Sequence, residues 1–432
     1  MSIFGLIAVI LFLTVFSNNA SSYDITISPS FWISQLDDPD SVLMNDEEIN
    51  NFNDAIISSI DQMANIRAIG ATISGDRIKE YLLHDPLPTD KIMFDKNDRR
   101  ISKRFYRDLE KNINLEDVKD AVPIKFGVII KKADIRGFPT IEPILEYPKS
   151  LDFDTVQYST ISPPEPAALL HLSKDKKWGF FQTSFVRGWI RLDKVAFAKD
   201  AAHITSMGSR FLVITGSYVH VYKDREFKKP LEKLPMGSRL SIINEDKDRW
   251  SVSFPYRDEN GILKWGNAYV NKTSDVHREF LPYSKKNIIS QAFKILGQGY
   301  GWGGINNKRD CSSFIKDVFA TVGINLPRNS RQQITVGKAL GNIDNGNSRD
   351  DLKALLNSAI PGITLLGLNG HIMLYLGSIE DRRYAIHSLF RYGGKVVNKN
   401  VVTDLNLGNG AKNKAFIDRL KGITIISSAN PH

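Results

Sequence analysis

The 432-residue chain has a single cysteine and no apolar run as long as the roughly 20 residues that a membrane-spanning helix needs. One cysteine excludes an intramolecular disulfide framework and every metal site built from several thiolates. Hydrophobic residues make up 42% of the chain, with 30 Gly and 18 Pro, which excludes collagen-like and wholly disordered proteins. The chain is therefore globular, and its length suits roughly two to four domains.

The first 22 residues have the pattern of a secretory signal. Residues 3–16 are apolar except for Gly5 and Thr14, and small or polar residues follow up to Ser22. This pattern predicts a signal peptide at 1–22, although no basic residue precedes the apolar stretch; a retained anchor is the alternative. We therefore expect an exported protein of the periplasm or the extracellular cell wall. In an oxidising compartment, an unpaired thiol is either a buried core residue or a reactive group.

Positive charge is concentrated towards the C-terminus. The net charge is +9, and residues 282–432 hold 20 Lys or Arg against 9 Asp or Glu, whereas the first 281 residues hold 37 against 39. A basic module in an exported chain favours an acidic partner such as cell-wall polymer or anionic lipid, and a solvated surface is the alternative. The surplus forms no basic helical stripe and no recognisable motif, so we expect no nucleic-acid partner.

Four units follow the predicted signal. Residues 23–147 mix helical and irregular patterns, with a helix start at Asn45. Residues 148–200 and 201–281 consist of short strand-like runs separated by turns, which is typical of small antiparallel barrels. Residues 282–432 begin with helical patterns and continue as strands. The whole chain is therefore predicted to be α+β.

The chemistry is predicted in the last unit. Cys311 follows Asp310 and opens a helix with a buried stripe over residues 314–322. A helix N-terminus lowers the pKa of a thiol, and its free N–H groups can bind an oxyanion. His371 and His387 lie on successive predicted strands, where antiparallel pairing would place one imidazole as base and the other as its orienting group. We predict a cysteine nucleophile with no metal or cofactor; a core cysteine with structural histidines is the alternative.

Four short motifs support this reading, and they occur in a fixed order: YGWGG at 300–304, DCSSF at 310–314, LPRNS at 326–330 and GHIMLYLG at 370–377. Together they resemble the successive motifs of NlpC/P60 cysteine peptidases. Upstream, residues 49–53, residues 134–140 and the two barrel units resemble the N-terminal clip and paired bacterial SH3 domains of such enzymes. The resemblance implies a papain-like NlpC/P60 catalytic domain, preceded by two small SH3-like β-barrels and a mixed helical, clip-like N-terminal domain.

The resemblance also implies an activity: hydrolysis of the amide between γ-D-glutamyl and a diamino acid (diaminopimelate) in peptidoglycan stem peptides or muropeptides. In that picture Cys311 attacks the carbonyl, His371 is the base and His387 takes the third position. Tyr300 and the Cys311 backbone N–H flank the oxyanion. We expect the protein to act as a monomer.

Relatives with this arrangement of SH3 domains prefer stem peptides with a free L-Ala amine. By resemblance, Asp310 and Ser312 would hold that ammonium group and Ser330 would line the pocket. A carboxylate beside a thiolate is unfavourable unless a cation occupies it, which fits this role. Glu165 could reach the same amine from the first SH3-like unit; a solvated loop glutamate is the alternative. The chain departs from the family pattern at Ser313, which is usually Gly, and before His371, where the usual Pro-Gly-Asp reads Pro-Gly-Ile.

Two other functions remain open at this stage. One is a catalytically silent peptidoglycan-binding protein that uses its SH3-like domains, and the other is a thiol hydrolase that acts on a different amide or an ester. The presence of all three catalytic residue types favours the peptidase over the silent protein, and the SH3-like units disfavour the change of substrate.

Overall fold

The structure is a computed structural model that describes residues 28–204, 208, 210–343, 347–408 and 414–428. The predicted signal at 1–22 lies outside these ranges. Within them, no helix combines the length and the apolar character that a membrane crossing requires.

The N-terminal region contains four helices and a two-stranded sheet. Its elements are α1 (Pro29–Ile33), α2 (Asp46–Ser59), β1 (Thr72–Ser74), α3 (Gly75–Leu83), α4 (Lys103–Ile113) and β2 (Ala121–Pro123), with β1 antiparallel to β2. The predicted helix start at Asn45 is confirmed: its side chain accepts the Glu48 N–H at 3.0 Å, and the Glu48 carboxylate accepts the Asn45 N–H at 2.7 Å. This reciprocal capping satisfies two backbone donors at the helix start.

The N-terminal helices divide between two hydrophobic cores. Trp32 and Phe52 pack in one core with Tyr283 and Phe314 of the last unit, whereas Leu109 and its neighbours pack in another with the following sheet. Because each part of this region buries its apolar side chains against a different neighbour, the described residues 28–147 have no core separate from those of their neighbours. The region therefore joins two folded units.

The first β unit is a seven-stranded antiparallel sheet. Its strands are β3 (Lys125–Ile129), β4 (Ala133–Arg136), β5 (Gln157–Ile161), β6 (Pro166–Leu172), β7 (Trp178–Thr183), β8 (Arg187–Arg191) and β9 (Val195–Phe197), in the order β5-β4-β8-β7-β6-β3-β9. The sheet begins at Lys125, before the boundary expected at 148. The reason is that β3 pairs with β6 and β9, and β4 pairs with β5 and β8, so both belong to this sheet.

The second β unit has a similar build. It comprises β10 (Phe211–Ile214), β11 (Tyr218–Tyr222), β12 (Pro230–Pro235), β13 (Arg239–Glu245), β14 (Arg249–Arg257), β15 (Leu263–Asn271) and β16 (Val276–Arg278), in the order β12-β11-β15-β14-β13-β10-β16. Its apolar side chains, such as Leu212 and Val252, form a separate small core. The first β unit also has a small core of its own, which includes Ile135 and Phe181.

The last unit places helices against a six-stranded antiparallel sheet. Its elements are α5 (Lys285–Phe293), α6 (Cys311–Ala320), α7 (Ser330–Gln333), β17 (Lys338–Ala339), α8 (Arg349–Asn357), β18 (Thr364–Leu368), β19 (His371–Ile379), β20 (Arg382–Tyr392), β21 (Lys395–Asp404) and β22 (Leu420–Ile425). The strand order is β17-β22-β18-β19-β20-β21. The predicted apolar stripe of α6, including Phe314 and Val318, is fully buried. This packing holds the start of α6 over β19 and β20.

Candidate active site

The local sequence fixes Cys311 as the first residue of α6. Asp310 is the N-cap: its carboxylate accepts the Ser313 N–H at 2.8 Å, and Ser313 Oγ accepts the Asp310 N–H at 2.9 Å. This reciprocal pair ends the extended chain and begins the helix at one defined position. Ser313, which stands where the family motif usually has Gly, therefore supplies half of the cap. The capping leaves the Cys311 N–H at the first helical position, where it has no intrahelical acceptor.

The Cys311 thiol is buried, with only 7% of the residue exposed. The backbone N–H groups of Ile372 and Ser312 are near its sulfur and act to lower its pKa. Burial and the neighbouring Asp310 carboxylate act in the opposite direction and raise the pKa of the thiol to about 12. The expected lowering by the helix N-terminus is therefore overcome, because desolvation disfavours the charged thiolate more than these donors favour it. The substrate-free site holds a neutral thiol.

His371 and His387 lie side by side on β19 and β20. His371 Nε2 is 2.7 Å from His387 Nδ1, and His387 Nε2 is 2.9 Å from Thr403 Oγ1 on β21. With Nδ1 of His371 as the base, Nε2–H of His371 donates to His387, and Nε2–H of His387 donates to Thr403. The N–H of Ile372, which follows His371, is near the Cys311 sulfur. The strand that carries His371 therefore passes beside the thiol.

Burial keeps both imidazoles neutral. It lowers the pKa of His371 to about 4, with a further contribution from the Arg419 charge, and it lowers the pKa of His387 well below its usual value, with a contribution from His371. Phe416 packs against both rings, at centroid distances of 6.3 Å and 5.4 Å. The aromatic contact restricts ring rotation and excludes water. A neutral, oriented imidazole is the form that can accept a thiol proton.

Tyr300 lies in an aromatic cluster that the first β unit completes. Its ring centroid is 5.5 Å from that of Phe390 and 6.0 Å from that of Phe153, which lies in the β4–β5 loop. Trp302 packs on Phe153 at 5.4 Å and donates its indole N–H to Asp154 O at 3.0 Å. Burial, together with the nearby Asp310 carboxylate, raises the pKa of Tyr300. Its hydroxyl therefore remains a donor in the vicinity of the thiol.

Two glycines allow this close contact between units. Gly303 and Gly304 have φ of +58° and +83°, and a Cβ on either would collide with Gln157 or Thr160 of β5. The Gly303 N–H donates to Asp310 Oδ2 at 3.0 Å, and its carbonyl accepts from Gln157 Nε2 at 3.3 Å. The glycine-rich loop thus connects β5 to the cap of α6, and any side chain at these positions would separate them.

Asp310 is engaged in a buried ion pair that the sequence reading did not include. Arg328 donates to both carboxylate oxygens, at 3.2 Å and 2.6 Å, and also to Ser312 Oγ at 2.9 Å and Ser159 Oγ at 2.7 Å. Although burial acts to raise it, the pKa of Asp310 is lowered by the Arg328 guanidinium and by hydrogen bonds from Ser313. The cation expected beside this carboxylate is therefore already present within the chain. The arginine of the LPRNS motif is the sequence feature that could have predicted this ion pair.

Two further predicted substrate residues lie in other elements of the structure. Ser330 is half-buried at the start of α7. Glu165 lines a cavity between the units, with its carboxylate 3.5 Å from Ser184 Oγ, and the walls of that cavity include neither Cys311 nor Asp310. Among the described residues, the structure therefore brings together Cys311, His371, His387, Asp310 and Ser312, with Tyr300 beside them, and it leaves Glu165 apart.

The neutral thiol predicts a distinctive alkylation profile. Because only the thiolate reacts, we expect the rate of Cys311 alkylation by iodoacetamide to rise about tenfold per pH unit from about pH 6 to 9 without a plateau. Mass spectrometry gives the rate directly, since Cys311 is the only thiol. The urea-unfolded chain is the control and should level off above its ordinary pKa of about 8.5. A plateau below about pH 7 in the folded protein would instead indicate a preformed thiolate–imidazolium pair.

Family models match two segments of the chain. Residues 297–402 match the NlpC/P60 family, and residues 143–191 match the SH3 domain (SH3b1 type). The first segment contains Cys311, His371 and His387, and the second covers β5 to β8. The predicted resemblance is therefore confirmed: the chain carries an NlpC/P60 domain and a bacterial SH3 domain.

Comparison with individual proteins agrees with these models. An NlpC/P60 endopeptidase from Photobacterium damselae subsp. piscicida superposes with a TM-score of 0.73 at 21% identity, covering 96% of this chain and 100% of that one. Gamma-D-glutamyl-L-lysine dipeptidyl-peptidases of Bacillus cereus and Bacillus subtilis are 22% and 28% identical, over 35% and 32% of this chain. The chain spans only 44% and 41% of the lengths of these two relatives. The structural likeness establishes the fold.

Proposed function

We propose that the chain is an exported cysteine peptidase that hydrolyses the γ-D-glutamyl–diamino acid amide of peptidoglycan stem peptides. The observation that carries the proposal is the line of hydrogen bonds from Thr403 through His387 to His371, whose neighbour in the chain, Ile372, has its N–H near the only thiol. A nucleophile, a base and a group that orients the base are the parts that acyl transfer requires. The names of the two Bacillus relatives support this choice of amide.

The geometry suggests how the reaction would proceed. As Cys311 attacks the γ-carbonyl carbon, its proton moves to His371 Nδ1, so the thiolate exists only as the new bond forms. The Cys311 N–H and the Tyr300 hydroxyl are the donors available to the oxyanion. The imidazolium then gives its proton to the departing amine of the diamino acid. Water, deprotonated by the same imidazole, hydrolyses the thioester and releases the γ-carboxylate.

A preference for a free L-Ala amine is part of the proposal. Arg328 constrains how the amine can bind, because it already donates to Asp310. Asp310 already receives donors on both oxygens and is only 5% exposed. The Ser312 Oγ contact, at 3.3 Å, is the longest of these bonds. An ammonium group would replace that contact first, since a charged donor forms a stronger hydrogen bond than a hydroxyl. Asp310 and Ser312 then hold the amine together.

The substrate assignment is tested with matched peptides. We expect release of diaminopimelate from L-Ala-γ-D-Glu-diaminopimelate, measured by mass, and no release from the isomer that is linked through the α-carboxyl group. N-acetylation of the alanine removes the ammonium charge, and we expect turnover to fall at least about tenfold, as for the loss of a charge-assisted hydrogen bond.

The same experiment separates the alternatives. Equal cleavage of the α- and γ-linked isomers would contradict the proposed amide, and equal rates with and without the acetyl group would contradict the amine preference. Saturable binding of the γ-linked peptide without any product would instead identify a silent binding protein. Parallel incubations with intact sacculi and with free muropeptides identify which form is the substrate.

A further inference from the structure

A cavity of about 550 Å³ lies where the N-terminal region, both β units and the NlpC/P60 domain meet. Its volume lies within the range of about 300–1,000 Å³ that is usual for small-molecule sites. Each of these four units contributes one wall, represented in chain order by Ile57, Glu165, Tyr218 and Lys316. Ser313 of α6 also lines the cavity, whereas the walls include neither Cys311 nor the two histidines of the site. This space is therefore separate from the reaction centre.

Basic side chains dominate the walls of this cavity. Three acidic residues line it, namely Asp54, Glu165 and Asp317, against six basic ones, namely Arg67, Lys132, Arg239, Lys308, Arg309 and Lys316. Two of the cations share one carboxylate: Arg309 Nε is 2.8 Å from Asp317 Oδ2, and Lys316 Nζ is 3.2 Å from Asp317 Oδ1. The cavity therefore carries a formal surplus of three positive charges.

Lys132 is the clearest case of a cavity cation that has no direct carboxylate partner among the described residues. Its ammonium group donates to Asn307 Oδ1 at 2.6 Å and to the Gly304 carbonyl at 3.4 Å, which are neutral oxygens. Burial lowers the pKa of Lys132, against the attraction of Asp134 and Glu232. In the described part of the chain, neither Lys308 nor Arg239 forms an ion pair with a carboxylate. Half-buried cations without a paired anion are costly unless a ligand supplies the charge.

We propose that this cavity binds a small molecule with two or more carboxylate groups. Lys132, Lys308 and Arg239 would contact its carboxylates, and Glu165, which also lines the cavity, would accept a donor if the ligand carries one. Because the walls come from all four units, an occupant would bind their docked arrangement and not the separated units. Binding would therefore stabilise that arrangement.

The test is calorimetric titration of the purified chain with citrate, which carries several carboxylates and is not a substrate. We expect one citrate per chain, and we expect Lys132→Met to weaken the affinity about tenfold or more, the usual cost of a lost charge-assisted contact. Lys131→Met is the matched control, because Lys131 is the exposed neighbour on the same turn. The affinity of Lys131→Met for citrate should equal that of the unchanged chain. Lys308→Met provides a second variant if Lys132→Met does not fold.

Three outcomes would overturn the inference. The first is the absence of saturable citrate binding, and the second is an equal affinity for citrate in Lys132→Met and Lys131→Met. The third is saturable binding of inorganic phosphate without binding of citrate. Glycerol at the same concentration controls for filling of the space by a neutral molecule. Turnover plays no part in these measurements, so their result does not depend on the peptidase assignment. A Tm that rises with citrate in the unchanged chain and stays constant in Lys132→Met would support the docking of all four units around the ligand.

Discussion

Replacement of Cys311 by alanine should lower the rate of γ-D-glutamyl amide hydrolysis by about 10⁴-fold or more, because the sequence contains no other thiol to act as nucleophile. The fold should survive. Alanine has the highest helix propensity, and the Asp310–Ser313 cap that starts α6 does not involve the sulfur. The rate is measured from the mass of released diamino acid, and circular dichroism confirms the fold. Turnover at the original rate in this variant would remove the proposed mechanism.

Variants along the line of polar groups should show graded effects. His371→Ala removes the base and should cost about 10²–10⁴ in rate. Thr403→Val keeps the volume and removes one hydrogen bond to His387, so we expect a loss of only about fivefold to tenfold. Equal losses in the two variants would mean that the residues act by maintaining the fold. Unequal losses, with unchanged circular dichroism, would assign the base to His371 and an orienting role to Thr403.

The start of α6 and the histidine pair could be predicted from sequence because local rules determine both. The N-cap residues are sequence neighbours of Cys311, so the helix start follows from residue types at fixed spacing. His371 and His387 lie on strands joined by a tight turn, and such strands almost always pair antiparallel. Sequence order therefore sufficed to place one imidazole beside the other.

Contacts between distant segments could not be predicted in the same way. The Asp310–Arg328 pair depends on how the chain after α6 returns to its N-terminus, and Ser159 reaches the same guanidinium from the first β unit. Likewise, the sequence pattern assigns β3 and β4 to the N-terminal region, although they belong to the first β sheet, because their partner strands lie further along the chain. The pKa of Cys311 differs from the expectation for a related reason. The helix start is visible in the sequence and predicts a lowered pKa, whereas burial, which depends on tertiary packing, raises the pKa.

Loss of Arg328 should strongly reduce stability. Both charges of its pair with Asp310 are about 5% exposed, so removal of one leaves the other buried and unpaired. We expect Arg328→Met to lower the free energy of unfolding by about 3–5 kcal/mol, the usual effect of breaking a buried ion pair. Chemical denaturation followed by near-ultraviolet circular dichroism measures the change.

Two controls distinguish this charge effect from simple loss of packing. The double variant Arg328→Met/Asp310→Asn has no charge left at this pair and keeps a good N-cap, so it should regain most of the lost stability. Arg104→Met breaks the surface pair with Asp108, in which Arg104 is 85% exposed, and we expect a change below about 1 kcal/mol. If the double variant were as unstable as Arg328→Met, the contribution of Arg328 would lie in its packing and its bond to Ser159.

The dependence of stability on pH provides a further check on the same pair. Arg328 and the Ser313 hydrogen bonds hold the pKa of Asp310 below its usual value in the folded state. Their contribution to stability is therefore fully present above the unfolded pKa of about 3.9, and it is lost as the pH falls through the folded pKa. In Arg328→Met, burial raises that pKa instead, so stability should increase as the pH falls from neutrality towards the unfolded value. Opposite slopes in the two proteins would establish that Asp310 is the buried charge that Arg328 neutralises.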